Sequence, residues 1–265
     1  MKGVADTLFI PLTARIYVSK RFPEYFYDHM ALSLQEHLPD DKIEQTSTEY
    51  MMMASVARYY NLDQMTRDFI SRAAGPCNII NLGAGLETAY FRIKSETAVF
   101  YEVDLPEVIA GRRQVLGEQA REVLTGGDLF RPQEWAQGIN TAWPSLLIVS
   151  GVFQYFHKTD ILRLIGELKA LFPRGELIFD AANQTGLRYA NRYVKRTGNA
   201  SAEMYFYVNS GHQFGEEAKL RLIDERPFFT AARQQLKQKL RLFTRIAMAV
   251  TDYTGRARIF HYGLG

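Results

Sequence analysis

A single cysteine, Cys77, stands in the 265 residues, which excludes an internal disulfide and a cysteine-rich zinc site and fits a reducing compartment. Charge of one sign is never massed. Lys and Arg number 32 against 29 Asp and Glu, with no block of like charges, so nothing demands nucleic acid or an anionic membrane as partner. Long hydrophobic runs are missing too. LLIVSGVF at 146–153 falls far short of the roughly 20 residues of a membrane span, and TLFIPL near the N-terminus is too brief for a signal-peptide core. The five histidines, His29, His37, His157, His212 and His261, show no paired spacing of the H-E-x-x-H kind. Met51-Met52-Met53 has no second ligand cluster beside it and reads as helix core. The expectation is a cytoplasmic chain with no nucleic acid, membrane or metal partner.

What is present suits a folded core, with 47% hydrophobic and 13% aromatic residues. Apolar residues recur at helical spacing in PEYFYDHMALSLQEHL and again in TSTEYMMMASVARYYNLDQMTRDFISRAA, which Gly75-Pro76 stops. Thr46 with Glu49 three residues later is a capping box for the second helix. From Cys77 short apolar strands alternate with helices: CNIINL, TAVFYEV, EVLTGG, SLLIVSG and GELIFDA, separated by LETAYFRI, LPEVIAGRRQVLGEQA, PQEW and TDILRLIGELKALF. That alternation predicts a parallel sheet covered on both faces. After Asp180 the texture loosens: LRYANRYVKR suits a helix, AEMYFYVNSGHQF is aromatic and Gly-punctuated, and LRLIDERPFF and RARIFHYGLG suit strands. We expect one domain over 1–265, with a helical cap at 1–76, a cofactor-binding core at 77–181 and substrate-side additions with the final strands at 182–265.

The turn NLGAGLET follows the first strand. Gly83 and Gly85 can take unusual backbone angles and let a ligand approach the chain, but such a turn alone also suits a plain strand-to-helix connection. No Lys-Ser/Thr follows, since Leu86 and Glu87 stand there, and Glu87 would repel a phosphate. Thr88 occupies the position where a dinucleotide fingerprint wants its third glycine. An acid, Asp104, falls about twenty residues on at the end of the second strand, where a carboxylate accepts from ribose hydroxyls. Asp104 also suits a helix N-cap. Glycine turn, ribose acid and missing phosphate machinery together point to S-adenosylmethionine. At the third strand's end, Asp128 suits an adenine amino group and Leu129 the ring.

The order NLGAGLET, YEVDLPEVI, GGDL and SLLIVSGVFQYF, with IPLTARI before and DERPFF and RIFHYGLG after, resembles the leucine carboxyl methyltransferase family, including its bacterial tetracenomycin-type polyketide O-methyltransferase branch. The resemblance implies a Rossmann-like class I methyltransferase: an α/β fold with a seven-stranded, mostly parallel sheet, the last strand antiparallel, a helical N-terminal extension and inserted cap elements. It places the cofactor on Gly83, Ala84, Gly85, Asp104, Leu105, Asp128 and Leu129, and the cofactor's carboxylate on Arg58, for which a pairing with Asp63 is the plainer alternative. Ser150 stands where the family carries Glu. His212 and Tyr155 are the candidate catalytic residues, and Tyr205 and Tyr207 the candidate substrate contacts. The implied activity is methyl transfer from S-adenosylmethionine to a hydroxyl or carboxylate of a small, aromatic or polyketide-like metabolite. The alternatives are a protein C-terminal carboxylate as acceptor, and a scaffold that binds cofactor without transfer.

Overall fold

From Cys77 onward the computed structural model, which describes residues 4–38, 42–196 and 203–265, alternates strands with helices. The strands are β1 (Cys77–Leu82), β2 (Ala98–Asp104), β3 (Glu122–Gly126), β4 (Ser145–Val149), β5 (Gly175–Ala182), β6 (Arg221–Pro227) and β7 (Ala257–Gly263). They make one seven-stranded sheet in the order β3-β2-β1-β4-β5-β7-β6. β1 to β5 run parallel and β7 pairs antiparallel with both β5 and β6. The chain order reverses between β1 and β4, so a crevice opens beyond the carboxyl ends of those two strands.

Ahead of the sheet lie α1 (Val4–Arg21), α2 (His29–Ser33), α3 (Lys42–Thr46) and α4 (Glu49–Ala73). The crossovers carry α5 (Ala89–Ile93), α6 (Pro106–Leu116), α7 (Pro132–Trp135) and α8 (Lys158–Leu171). Around β6 come α9 (Gln184–Arg196) and α10 (Gly211–Ala218) before it, and α11 (Thr230–Gln235) and α12 (Leu242–Thr254) after it. Consecutive strand residues point to opposite faces. Ile79, Leu146, Ile148 and Ile178 therefore join the core against α1 and α4, while Ile80, Leu147, Val149 and Leu177 join the one against α8.

Three local expectations need correction. The α4 cap is Thr48, whose side chain accepts from the Met51 N–H at 3.3 Å, not Thr46. Thr46, Ser47 and Thr48 all offer a hydroxyl, and the one that fits is the one adjoining the first helical residue. PEYFYDHMALSLQEHL is not one helix: Asp28 caps the five-residue α2 by accepting the Ala31 N–H, and a short 3-10 turn follows at Gln35–His37. LETAYFRI begins in the turn, with helix only from Ala89.

Candidate active site

The glycine turn is built as its sequence demands. Gly83 and Gly85 adopt φ of 74° and 51°, where a side chain is disfavoured. A Cβ on Gly83 would meet Val152 at 2.5 Å, and one on Gly85 would meet Leu8 of α1 at 2.9 Å. The Val103 carbonyl accepts from the N–H groups of Gly83 and Ala84. One Asp104 oxygen accepts the Gly85 N–H at 2.7 Å and the other the Leu105 N–H at 2.7 Å. Asp104 is thus no cap for α6, which starts on Pro106 without a side-chain cap. A carboxylate has about four acceptor sites, so each oxygen retains capacity toward hydroxyl donors. Burial raises the Asp104 carboxyl, while those backbone donors pull it back.

Behind the turn, Arg112 of α6 donates to the Gly85 carbonyl at 3.2 Å and to Glu122 at 2.6 Å, and lies 3.7 Å from Glu102. All three side chains are fully buried. Two carboxylates on one guanidinium leave a charge too many for a dry site, and burial pushes Glu102 up to about 8 against the pull of Arg112.

Arg58 of α4 approaches the end of β4, since a Cβ on Gly151 would meet its guanidinium at 2.7 Å. Its partner is Asp180, not Asp63, at 3.3 Å. The second Asp180 oxygen accepts the Gly151 N–H at 2.6 Å. Asp63 is taken by a bidentate pair with Arg92, at 2.8 Å for both bonds. Arg58 Nε and the Ser150 hydroxyl are buried without a partner. Those two orphaned atoms and the side-chain-free floor of the glycine turn are features that a polar amino-acid moiety fits. The carboxylate that position 150 lacks has a counterpart one strand away in Asp180.

Under the turn runs an ion network joining α1, α4 and α5. Arg15 donates to Asp28 at 3.0 Å, to the Leu86 carbonyl at 2.6 Å and to the Thr88 hydroxyl. Arg92 donates to Asp28 at 3.0 Å and Glu87 at 2.9 Å in addition to Asp63. Burial alone would raise Asp28, but Arg15, Arg92 and the Thr88 hydroxyl hold it down at about 2. Glu87, read from the sequence as a group that repels phosphate, is held ionised within this network: burial raises it and Arg92 and Arg15 lower it further.

Asp128 is half-exposed, caps its own turn by accepting the Phe130 N–H at 2.9 Å, and keeps its second oxygen near Arg131. Leu129 is half-buried against the α8-side core. Leu105, 42% exposed, stands at the mouth. Residues 204–208 cross the carboxyl ends of β4 and β5, because Tyr205 donates its N–H to the Gln154 carbonyl and Val208 to that of Ala182. This crossing brings Tyr205 and Tyr207 to the edge that carries Tyr155, all three exposed, with the His157 ring 4.5 Å from that of Tyr205. His212 is not brought to this edge. It is the second residue of α10, whose first, Gly211, lies against Glu225 of β6 and Phe260 of β7, at the far side of the sheet from β1. Among the described residues no group of three or more His, Cys, Asp and Glu side chains is placed to hold a metal.

Asp180, on the Gly151 N–H, and Arg112, on the Gly85 carbonyl, are neighbours of the site that the sequence pattern did not single out. Asp180 carried a usable signal, an acid closing an otherwise apolar strand in GELIFDA; Arg112 carried none, being one of two adjacent arginines on a helix.

A family model described as Leucine carboxyl methyltransferase matches residues 6–169. The S-adenosyl-L-methionine-dependent methyltransferase dpfgK of Gibberella zeae is 24% identical over 200 residues, 68% of this chain and 67% of that protein. Leucine carboxyl methyltransferase 1 of Rattus norvegicus is 30% identical over 100 residues, 37% of this chain and only 28% of its own length. Among solved structures, a DUF574 family protein from Streptomyces avermitilis superposes with a TM-score of 0.61 at 12% identity, over 95% of this chain and 96% of that one. Magnesium protoporphyrin IX methyltransferase from Synechocystis, with bound SAH, gives 0.52 at 14%, over 82% and 88%. The two structures share its fold.

Proposed function

The chain belongs to the leucine carboxyl methyltransferase family, and from that premise we propose that it is an S-adenosylmethionine-dependent O-methyltransferase acting on a hydroxyl or carboxylate of a small, planar, aromatic or polyketide-like metabolite. The observation that carries the reading is the Arg58 guanidinium, drawn to the end of β4 beside Gly151 with its Nε buried and unpartnered. A guanidinium fork suits a carboxylate bidentately, and this one stands at the switch point of the sheet where the glycine turn also opens. Asp104 and Leu105 would hold the ribose side, Asp128 and Leu129 the adenine, and Gly83, Ala84, Gly85 and Ser150 the methionine portion. When bound, S-adenosylmethionine supplies a methyl group activated by a sulfonium.

The chain's own task is alignment. Confining an acceptor beside the activated group can supply roughly 7–11 kcal/mol of the barrier. Tyr155, Tyr205 and Tyr207 form an aromatic rim that suits a flat acceptor. An acceptor carboxylate is ionised at neutral pH and needs no base, whereas a phenol of pKa about 10 does. His157, packed on Tyr205, is better placed for that than His212. Incubating the protein with methyl-labelled cofactor and either aromatic hydroxy acids or a protein extract tests the reading. Label in the small molecule is expected. Label confined to protein C-termini would replace it with the protein carboxyl methyltransferase reading, and no release of S-adenosylhomocysteine with either would leave a cofactor-binding scaffold.

A further inference from the structure

Helix α12 turns an apolar face to the outside. Leu242, Phe243, Ile246, Val250 and Tyr253 are 67%, 72%, 55%, 40% and 92% exposed. With successive residues turning by about 100°, these five fall inside one arc of about 100°. The opposite side of the same helix is committed to the protein: Thr244, Met248, Thr251 and Asp252 are buried, Thr251 meets Tyr50 at 2.8 Å, and Asp252 takes the Phe229 N–H. The stripe is therefore fixed in place rather than free to turn inward. Contiguous exposed apolar surface of this kind marks an interaction site.

The charge around it says what kind. Between Glu225 and Asp252 the chain has no acidic residue, while Arg233, Lys237, Lys239, Arg241 and Arg245 crowd the approach to α12. Arg233 pairs with Asp252 and Lys239 with Glu24, and the Glu49 carboxylate takes the Arg241 backbone N–H. The side chains of Lys237, Arg241 and Arg245 are left with no carboxylate partner among the described residues. A second copy docked on this face would bring the same unpaired cations, and no acidic residue of this segment, to one interface, which opposes self-association. The protruding Phe, Leu, Ile and Tyr side chains with Lys and Arg beside them are the set by which a helix lies in the headgroup region of an anionic bilayer, and a fluid surface admits protruding side chains without matching pockets.

We propose that the α12 face docks on an anionic lipid surface. The binding is peripheral, since no helix of the described residues is long and apolar enough to cross a membrane. The far end of α12 is tied to the segment after β5, with Asn183 donating to the Thr254 carbonyl at 3.0 Å. The expectation that nothing demands an anionic membrane rested on the absence of a like-charge block. Here the cations are interleaved with Leu and Gln, and only the folded helix gathers the apolar residues on one side.

The test is co-sedimentation of the full chain with vesicles of phosphatidylcholine alone or with roughly a third phosphatidylglycerol. It is run on the wild type, a Phe243→Ser/Ile246→Ser variant and a Lys237→Glu/Arg245→Glu variant. Phe243 and Ile246 are more than half exposed, so their replacement removes no core contact, and unchanged thermal midpoints and cofactor binding check this. The expected result is binding to the anionic vesicles alone, weakened at least about tenfold by either variant. Absence of binding, or binding indifferent to Phe243→Ser/Ile246→Ser, overturns the proposal. So does light scattering at twice the 30.4 kDa chain mass that the apolar variant abolishes, which would make the face a self-interface, or a preference for an acidic amphipathic peptide over vesicles.

Discussion

Arg58 and Asp180, 122 residues apart, meet at 3.3 Å beyond the ends of β4 and β5, and the carboxylate uses its other oxygen to hold the Gly151 N–H at 2.6 Å. The acid does two things at once: it neutralises a buried guanidinium and fixes the turn after β4 on which that guanidinium rests.

Replacing Asp180 with Asn keeps an acceptor for Gly151 and removes the counter-ion of Arg58. A stability loss of about 3 kcal/mol is expected, in the range for breaking a buried pair. Because the cofactor's carboxylate would replace the missing anion, S-adenosylhomocysteine should raise the melting temperature of Asp180→Asn more than that of the wild type. Equal shifts in differential scanning fluorimetry would separate Arg58 from carboxylate binding.

Glu102 titrates at about 8 when folded against 4.5 as its ordinary value. The folded state holds this proton after the unfolded chain has released it, so between those two values the group makes stability fall as pH rises, by about 1.4 kcal/mol per pH unit. Glu102→Gln keeps an acceptor for the Asn81 amide and carries no charge against Glu122 and Arg112. Its stability relative to the wild type should climb from pH 5 to about 8 in urea unfolding series, and a flat difference would show that Glu102 ionises freely.

Asp28 works in the opposite sense. Its folded value of about 2 lies below the ordinary 3.8, so its contribution is fully present above 3.8 and is lost as pH falls toward 2. That contribution amounts to about 2 kcal/mol. Asp28→Asn leaves Arg15 without its carboxylate and should destabilise by about 3 kcal/mol or more at neutral pH, the gap narrowing in acid. A gap independent of pH would mean that packing, not charge, is lost.

The strand-and-helix alternation of residues 77–181 was legible because each strand is a short apolar run and each crossover has helical spacing. The glycine turn and Asp104 were legible because their positions follow chain order along consecutive strands. The partner of Arg58 was not, since Asp63 lies nearer in sequence and only the fold delivers Asp63 to Arg92 and Asp180 to Arg58. The clamp of Arg112 on the Gly85 carbonyl was equally hidden, because a backbone oxygen leaves no mark in sequence. His212 stood near aromatic residues in the chain, yet the segment crosses the carboxyl ends of β4 and β5 at Tyr205–Val208 and turns into α10 before position 212.

The glycine turn and Asp104 are proposed as the ribose side of the S-adenosylmethionine site. Isothermal titration of S-adenosylhomocysteine into the wild type and Asp104→Ala tests it most directly. A hydrogen bond to a charged group is worth about 1.5–3 kcal/mol, so the variant should bind about ten- to a hundredfold more weakly. Unchanged affinity in a folded Asp104→Ala would contradict it.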